Sequence, residues 1–247
     1  MKKFLMIVGC LLLLLVGLAE AVLPKICAGA LGRVLQQALK TDTVTVSTRT
    51  FPASRLLFGH IGDIDAEAEN GRLGNLPTKK LSLHGECVQM PYDVLWHQNF
   101  AITDADVLTL EGVVTEENLA DFLNNEVKEI DDAKVNITKE QVVADATTKV
   151  MGRSADVHIE GVFFIEDNKI ALRLTHVKVK KIFFGRDLTA NFFERIDLYD
   201  FNRLNMPVEL DEAVHEDGQV VLKASRHPGK TYGDGRKPEK SKKGDAP

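Results

Sequence analysis

Apolar and acidic side chains alternate strictly over residues 64–69. Successive side chains of a β-strand point to opposite faces of a sheet, so this pattern predicts a strand with one buried face and one face in water. A short apolar helix over residues 55–58 precedes the strand, and a glycine-rich turn over residues 70–76 follows it. Since the stretch has no catalytic spacing, it is typical of a scaffold with an apolar interior surface.

The same periodicities assign elements to the rest of the chain. Apolar residues at three- and four-residue spacing predict an amphipathic helix over residues 24–39, with Pro24 in its first position. Thr115 precedes two glutamates and an apolar stripe, which predicts a second, capped helix, and a third is expected over about residues 187–198. Alternating patterns predict strands over residues 42–50, 81–87, 100–114, 133–138, 141–151, 157–165, 170–174 and 220–224.

These elements indicate an α+β protein with long antiparallel strands, an N-terminal amphipathic helix and two further helices packed on the sheet. The predicted division is a leader over residues 1–21, one α+β domain over residues 22–225, and a tail over residues 226–247 in which few large apolar side chains remain. The composition, 44% hydrophobic and 27% charged, is ordinary for a globular protein. Composition alone therefore selects no function.

The N-terminus has the pattern of an export signal. Two lysines precede the apolar run 4–18, and Ala19 and Ala21 are small residues where a signal peptidase reads, so we expect cleavage after Ala21. An uncleaved anchor is the alternative, since residues 4–23 approach the roughly 20 apolar residues that span a bilayer. Either outcome places the folded part in the periplasm or on the outer face of the cytoplasmic membrane.

Charge divides the chain into an acidic body and a basic tail. The 247 residues carry a net charge of −5, whereas residues 226–247 hold seven basic and three acidic side chains, a net charge of +4. Without leader and tail, the body has 22 basic and 32 acidic residues, a net charge of −10. An acidic body argues against nucleic acid as a partner. The basic tail suits contact with an anionic membrane surface.

Histidine, glycine, serine and cysteine residues are present, but not at the spacings of known metal, nucleotide or catalytic motifs. The seven histidines include no pair at the i, i+4 spacing of a zinc helix, and the glycines around His60 and Arg72 match neither a phosphate loop nor a dinucleotide fingerprint. Ala68 stands where a calcium loop needs glycine. No serine lies in a nucleophile elbow, and Cys87 has no base close in sequence. We expect no catalytic residue, no metal site and no cofactor.

Cys27 and Cys87 are the cysteines that remain once the leader is set aside. Two thiols in an exported chain are able to pair as a disulfide. Each also occupies a position where a buried apolar side chain fits its predicted element, and free cysteine behaves as a small hydrophobe. The sequence leaves both outcomes open.

Large apolar residues occupy adjacent positions at four places in the chain. In an amphipathic element one of two neighbours faces away from the core, so such pairs need a second apolar environment. Helices covering the outer face of a sheet would supply it, and so would an apolar cavity or its mouth. On the second interpretation, the lipid-binding residues are Leu56, Leu57, Phe58, Phe163, Phe183, Phe184, Phe192 and Phe193.

The order of these parts resembles the LmeA-like bacterial envelope proteins. The resemblance rests on a leucine pair before a glycine and the alternating strand, on the turn 70–76, on the strand that begins at Lys80, on the helix after Thr115 and on the closing strand after Gly218. It covers roughly residues 43–225. It implies an elongated, curved antiparallel sheet in the style of tubular lipid-binding domains, and phospholipid binding outside the cytoplasmic membrane. It carries over no catalytic residue.

Three functions remain open at this point. The first is an exported envelope protein that binds phospholipid or a related lipid in an apolar cavity, with a role in envelope lipid or glycan maintenance. The second is a structural or interaction module of the envelope that binds no lipid. The third is an accessory enzyme of envelope lipid or glycan metabolism. Lipid that copurifies with the protein would separate the first from the second.

Overall fold

The computed structural model describes residues 2–91, 100–128, 130–150, 153–180 and 195–227. It is an α+β protein of antiparallel sheets with few helices, and one sheet curls into a half-barrel, which confirms the expected fold class. The helices are α1 (Lys2–Leu39) and α2 (Glu116–Glu126), with 3₁₀ helices at Ala53–Phe58 and Phe201–Arg203. The strands are β1 (Thr43–Arg49), β2 (His60–Glu69), β3 (Arg72–Leu73), β4 (Leu76–Pro77), β5 (Lys80–Gln89), β6 (Val107–Thr115), β7 (Asp131–Ile137), β8 (Val142–Val150), β9 (Arg153–Glu166), β10 (Lys169–Lys180), β11 (Arg195–Asp200), β12 (Glu209–Glu216) and β13 (Gln219–Ser225).

Two antiparallel sheets form the body of the protein. A six-stranded sheet has the order β1-β2-β5-β6-β13-β12, and a five-stranded sheet has the order β11-β10-β9-β8-β7. The sheets meet where the rings of Phe163 in β9 and His215 in β12 lie 5.3 Å apart. The Gly218 N–H also donates to the Ile137 carbonyl at 2.9 Å. These contacts join the last hairpin of the first sheet to the second sheet.

The alternating strand is β2, and its pattern is confirmed. Ile64, Ala66 and Ala68 are buried, and the acidic residues between them are exposed. The next long strand, β5, departs from its prediction at Cys87. That residue has φ +50° and is exposed, and Val88 is buried instead. A single left-handed residue interrupts the two-residue period, so the inward face shifts by one position.

Helix α1 is longer than the sequence predicted. It runs without a break from Lys2 to Leu39 and contains Pro24, which was expected to begin it. Proline removes one backbone donor at a cost of about 3 kcal/mol, and the long helix-forming runs on both sides offset that loss. The Thr48 hydroxyl donates to the Pro24 carbonyl at 3.1 Å, which ties this turn of the helix to β1.

Helix α2 begins as predicted. The Thr115 hydroxyl accepts the Asn118 N–H at 3.3 Å, and the Asn118 side chain accepts the Thr115 N–H at 3.1 Å, so the two residues form a capping box. Glu116 accepts the Ile137 N–H at 2.8 Å, which joins the first turn of α2 to β7. Leu119, Phe122 and Leu123 form the buried face.

Two predicted elements are wrong in part. The strand expected over residues 100–114 begins only at Val107, and Asp104 before it forms a single bridge with Gln89. Of the helix expected over residues 187–198, residues 187–194 lie outside the described residues, and the remainder belongs to strand β11. Ile196 and Leu198 are both buried there, because β11 pairs with β10 and presents every second side chain to the core.

The remaining strands are confirmed, including both hairpins. The β9–β10 hairpin turns through Asp167 and Asn168, both with positive φ, as a two-residue turn between right-twisted strands requires. The β12–β13 hairpin turns at Asp217 and Gly218, and β13 buries its expected inner residues Val220, Leu222 and Ala224. The predicted tail is described only at Arg226 and His227.

Candidate functional site

An apolar cavity of about 200 Å³ lies between the end of α1, the six-stranded sheet and the segment after β11. The helix contributes Leu35 and Leu39, and the buried face of the sheet contributes alanines and leucines of β2, β5 and β6. Leu204 and Met206 close the cavity from the side of the second sheet. The other apolar lining residues are Ala38, Val44, Ala66, Ala68, Leu73, Leu81, Leu83, Phe100 and Leu110.

The small side chains of β2 explain why the interior is not filled here. Leu31 and Leu35 hold α1 against the core, and their burial fixes the distance between the helix and the sheet. At the end of the helix the facing inward positions of β2 are Ala66 and Ala68, whose short side chains occupy little of that distance. Protein interiors are normally close-packed, so alanine at two successive inward positions leaves space for a ligand.

Cationic and hydroxyl groups stand at the edge of this apolar cavity. Arg72, Arg203 and Tyr199 line it together with Gly74, and the other polar lining residues are Glu67, Ser82 and Asn205. Arg72 is half-buried, and within the described part of the chain its guanidinium makes no hydrogen bond or ion pair. The Arg203 guanidinium lies 4.0 Å from the Asp200 carboxylate and is exposed. Burial raises the pKa of the Tyr199 hydroxyl, which keeps it a neutral hydrogen-bonding group.

A groove of about 750 Å³ with charged side chains on its walls, here called the polar groove, lies beside the cavity. The two spaces share Gly74, Tyr199 and Arg203, and the groove extends to Lys128 and Lys169. Glu126, Asp197 and Asp200 place carboxylates on its walls as well. Arg195 lies between the carboxylates of Glu166 and Asp197, which raise its pKa, and Asn75 donates to Glu126 at 2.6 Å.

The family comparison agrees with this geometry. Residues 18–225 match the family model described as LmeA-like phospholipid-binding. The chain belongs to this family. The match includes every residue that lines the cavity and the groove, and it extends the resemblance to the part of α1 that packs on the sheet. No curated protein and no solved structure matches the chain.

Of the lipid-binding residues predicted from adjacent apolar pairs, the four that the structure describes do not line this cavity. Leu56 is part of the hydrophobic core, whereas Leu57 and Phe58 are exposed. Phe163 is buried beside His215, and its N–H donates to the His215 Nε2 atom at 3.4 Å. Phe183, Phe184, Phe192 and Phe193 lie outside the described residues.

Phe164, the neighbour of Phe163, shows how one adjacent pair finds two environments. Its ring stands on the outer face of the five-stranded sheet. The Arg173 and Arg195 guanidinium carbons lie 4.3 and 5.1 Å from its centre. Cations above an aromatic face are attracted by its quadrupole, so this ring is covered without a helix.

Both cysteines are free thiols in the structure. Cys27 is buried in the core, and burial raises the pKa of its thiol. Cys87 is exposed, and a hydrogen bond with Asp106 raises the pKa of its thiol.

Among the described residues, no cluster of histidine, cysteine and carboxylate side chains is arranged to hold a metal ion. Among the side chains that the structure describes, no helical run is both long and apolar enough to cross a membrane.

Sequence reasoning missed the residues of the cavity and of its edge. Arg72 and Gly74 fall in the glycine-rich turn that was interpreted as structural, and Tyr199 and Arg203 come from a distant segment. The paired inward alanines Ala66 and Ala68 were a usable signal, since alanine contributes little volume to a strand face that must fill a core.

Proposed function

We propose that this chain is an exported envelope protein that binds phospholipid, with an acyl chain in the apolar cavity and the phosphate at its cationic edge. The observation that carries the proposal is the junction of the two environments at Gly74, Tyr199 and Arg203. One side of the junction is lined mainly by aliphatic side chains, and the other side holds charged groups of both signs, cations among them. A phospholipid has the same division between its chains and its headgroup.

The apolar side supplies most of the binding free energy in this proposal. Apolar cavities of roughly 150 Å³ stay dry and accept a benzene-sized molecule, so a cavity of about 200 Å³ suits a segment of hydrocarbon. Each methylene moved from water into such a site contributes about 0.8 kcal/mol. The cavity is smaller than the roughly 300 Å³ of typical whole-ligand sites. It therefore takes part of one acyl chain, and the remainder of the lipid lies outside the cavity.

The cationic edge of the cavity recognises the phosphate. Guanidinium groups match phosphate oxygens with paired N–H donors, and hydrogen bonds between charged groups are about twice as strong as neutral ones. Arg72 is half-buried and has no protein partner within the described residues, so a phosphate there would replace water rather than compete with a carboxylate. Arg203, Lys128 and Lys169 add positive charge along the groove.

The export part of the proposal rests on the sequence. Two lysines, an apolar run and small residues at positions 19 and 21 form the signal pattern, and the same segment is the first half of α1. The tail, with its net charge of +4, would bring the protein to anionic membrane surfaces, where each basic residue contributes about 1 kcal/mol. A location outside the cytoplasm and at a membrane surface suits a protein that takes its ligand from a membrane.

Mass spectrometry of the lipids that copurify with the protein tests the proposal. The protein is expressed in bacteria, purified in a detergent that does not mimic phospholipid, and extracted with organic solvent. We expect phospholipid in a fixed molar ratio to protein, and transfer of a fluorescent phospholipid to the delipidated chain. Protein that is free of lipid and takes up none would favour a structural module of the envelope.

A further inference from the structure

We propose that one end of the six-stranded sheet docks on a lipid bilayer through Phe51, Leu57 and Phe58, next to the point where the apolar segment of α1 leaves the domain. We call this the docking end, defined by residues 51–58, by α1 before Cys27 and by the first residue of β6. The proposal concerns the outer surface and does not depend on the cavity being occupied.

Exposed large apolar side chains are concentrated at this end. Phe51 is 84% exposed, Leu57 65% and Phe58 73%. Throughout the described chain, the other exposed large apolar residues lie in α1 before Cys27 or at the start of β6, where the Glu86–Val107 pair marks the same end of the sheet. These are Leu18, Val22, Ile26 and Val107. Exposed large apolar side chains grouped at one end of a protein mark an interaction site.

The backbone holds these side chains outward. Ala53 and Leu56 of the 3₁₀ helix are buried and anchor it to the core, so Leu57 and Phe58 point the other way. Gly59 ends the helix with φ +75°, and its carbonyl accepts the Met90 N–H at 2.8 Å. A Cβ atom at Gly59 would lie 2.1 Å from the Met90 oxygen, so the turn admits no side chain.

Helix α1 passes the docking end, and its Glu20 carboxylate there points toward the protein. Glu20 is the only charged residue between Lys3 and Lys25. Its carboxylate accepts the Ala53 N–H at 2.7 Å, at the first residue of the 3₁₀ helix. Beside the docking end the helix therefore exposes mainly apolar side chains, Leu18 and Val22 among them, and Lys25 is exposed at the end of this stretch. In a chain that keeps its leader, the apolar run 4–18 continues from this point.

Positive charge reaches the docking end from two sources. Lys25, Arg49 and Arg55 are exposed around it. Strand β13 ends there, because Ser225 pairs with Thr109 and the Arg226 N–H donates to the Leu108 carbonyl at 2.9 Å. The rest of the tail follows from that point, and residues 228–247 contain six basic and three acidic residues.

A bilayer is the occupant that fits all three features. Aromatic rings and leucines enter the boundary between headgroups and acyl chains, and basic residues around them contact anionic headgroups. A continuous apolar helix beside the rings points to the same environment. Asp63, Glu86 and Asp106 also lie at this end, so insertion of the rings must contribute beside charge attraction.

Site-specific fluorescence on the full chain tests the proposal. The three native cysteines are removed as Cys10→Ala, Cys27→Ala and Cys87→Ser, and one new cysteine is labelled with the polarity-sensitive dye NBD. The test position is Phe58→Cys. The matched control is Asp217→Cys, in the exposed turn at the opposite end of the same sheet. Both variants are mixed with vesicles of phosphatidylcholine and phosphatidylglycerol in equal amounts, with and without a quencher on the acyl chains.

We expect a several-fold rise and a blue shift of NBD emission at position 58, quenched by the acyl-chain quencher, and no change at position 217. The readout is local, so binding through the apolar start of α1 does not produce it. Vesicle-bound protein whose label at position 58 stays in water would overturn the proposal. Equal quenching at both positions would also overturn it, and so would failure of the chain to bind these vesicles.

Discussion

The ring of Tyr199 rests directly on Gly74: a Cβ atom at Gly74 would lie 2.9 Å from the Tyr199 Cε2 atom. Gly74 belongs to the turn between β3 and β4, and Tyr199 belongs to the five-stranded sheet. Their contact stands at the junction of the apolar cavity and the polar groove. The glycine, which the sequence marked only as a turn residue, therefore also fixes the shape of the candidate lipid site.

Replacement Gly74→Ala should weaken lipid binding as well as stability. The residue has φ +62°, where alanine costs about 1 kcal/mol, and the added methyl group pushes Tyr199 away from the junction. Gly218→Ala is the matched control, because φ there is +83° and nothing lies within 4 Å of the added carbon. Chemical denaturation and phospholipid titration check both variants. Equal lipid affinity in the two would show that the Tyr199 contact does not shape the site.

Filling the cavity should separate lipid binding from stability. Ala66→Leu places a larger side chain in existing space, so we expect the delipidated variant to unfold within about 1 kcal/mol of the parent and to retain little phospholipid. Ala144→Leu is the control, because Ala144 is 1% exposed and does not line this cavity; overpacking there costs about 1–3 kcal/mol. Stability is measured without lipid, since bound ligand raises it by mass action. Unchanged lipid retention in Ala66→Leu would contradict the site.

Removing the cation at the cavity edge should affect charged lipids selectively. For Arg72→Gln we expect about a tenfold loss of affinity for phosphatidylglycerol, since a hydrogen bond to a charged group contributes about 1.5–3 kcal/mol. Diacylglycerol with the same acyl chains should bind the variant and the parent alike. Titration with both fluorescent lipids checks this. An equal loss for the two lipids would assign Arg72 to structure rather than to phosphate recognition.

Acid should weaken the junction of the two sheets. Burial lowers the pKa of His215 below its ordinary 6.5, so below pH 6.5 the unfolded chain takes up a proton that the folded chain does not. This contribution to the free energy of unfolding is full above pH 6.5 and falls as the pH drops through the folded pKa, by less than about 1 kcal/mol because His215 is partly exposed.

The replacement His215→Gln should flatten the pH dependence of unfolding below pH 6.5. His84→Gln is the control with the opposite sign. A hydrogen bond from the His84 ring to the Asp65 carboxylate raises the pKa of His84, so that residue stabilises the fold at low pH and loses the effect as the pH rises. Urea unfolding of each variant across this range checks the slopes. The same slope in His215→Gln and the parent would show that His215 does not contribute to the pH dependence of unfolding.

The sequence predicted what local rules decide. The inward face of β2 and the cap of α2 at Thr115 depend on neighbours within four residues, and both are confirmed. The error at Cys87 comes from one left-handed residue that shifts the period of β5, which no propensity reveals. At residues 195–198, pairing with β10 prevailed over a four-residue apolar spacing.

The candidate site was beyond local rules, because its parts come from α1, two sheets and the turn that holds Gly74. Leu57 and Phe58, by contrast, were singled out by the sequence. Their adjacent apolar positions indicated that they could not both pack in the core, and in the structure both are exposed on the surface. Their role in lipid binding stays a prediction.

The central claim is that the acyl chain occupies the cavity between α1 and the six-stranded sheet, and photochemical crosslinking tests it most directly. A phospholipid with a diazirine at the end of one acyl chain is bound to the purified chain, irradiated, and mapped by peptide mass spectrometry. We predict crosslinks on Leu35 or Leu39 of α1, on Leu83 of β5 and on residues 204–206, all of which line the cavity. Crosslinks confined to Leu57 and Phe58, or to residues 183–193, with none on the cavity wall, would contradict the claim.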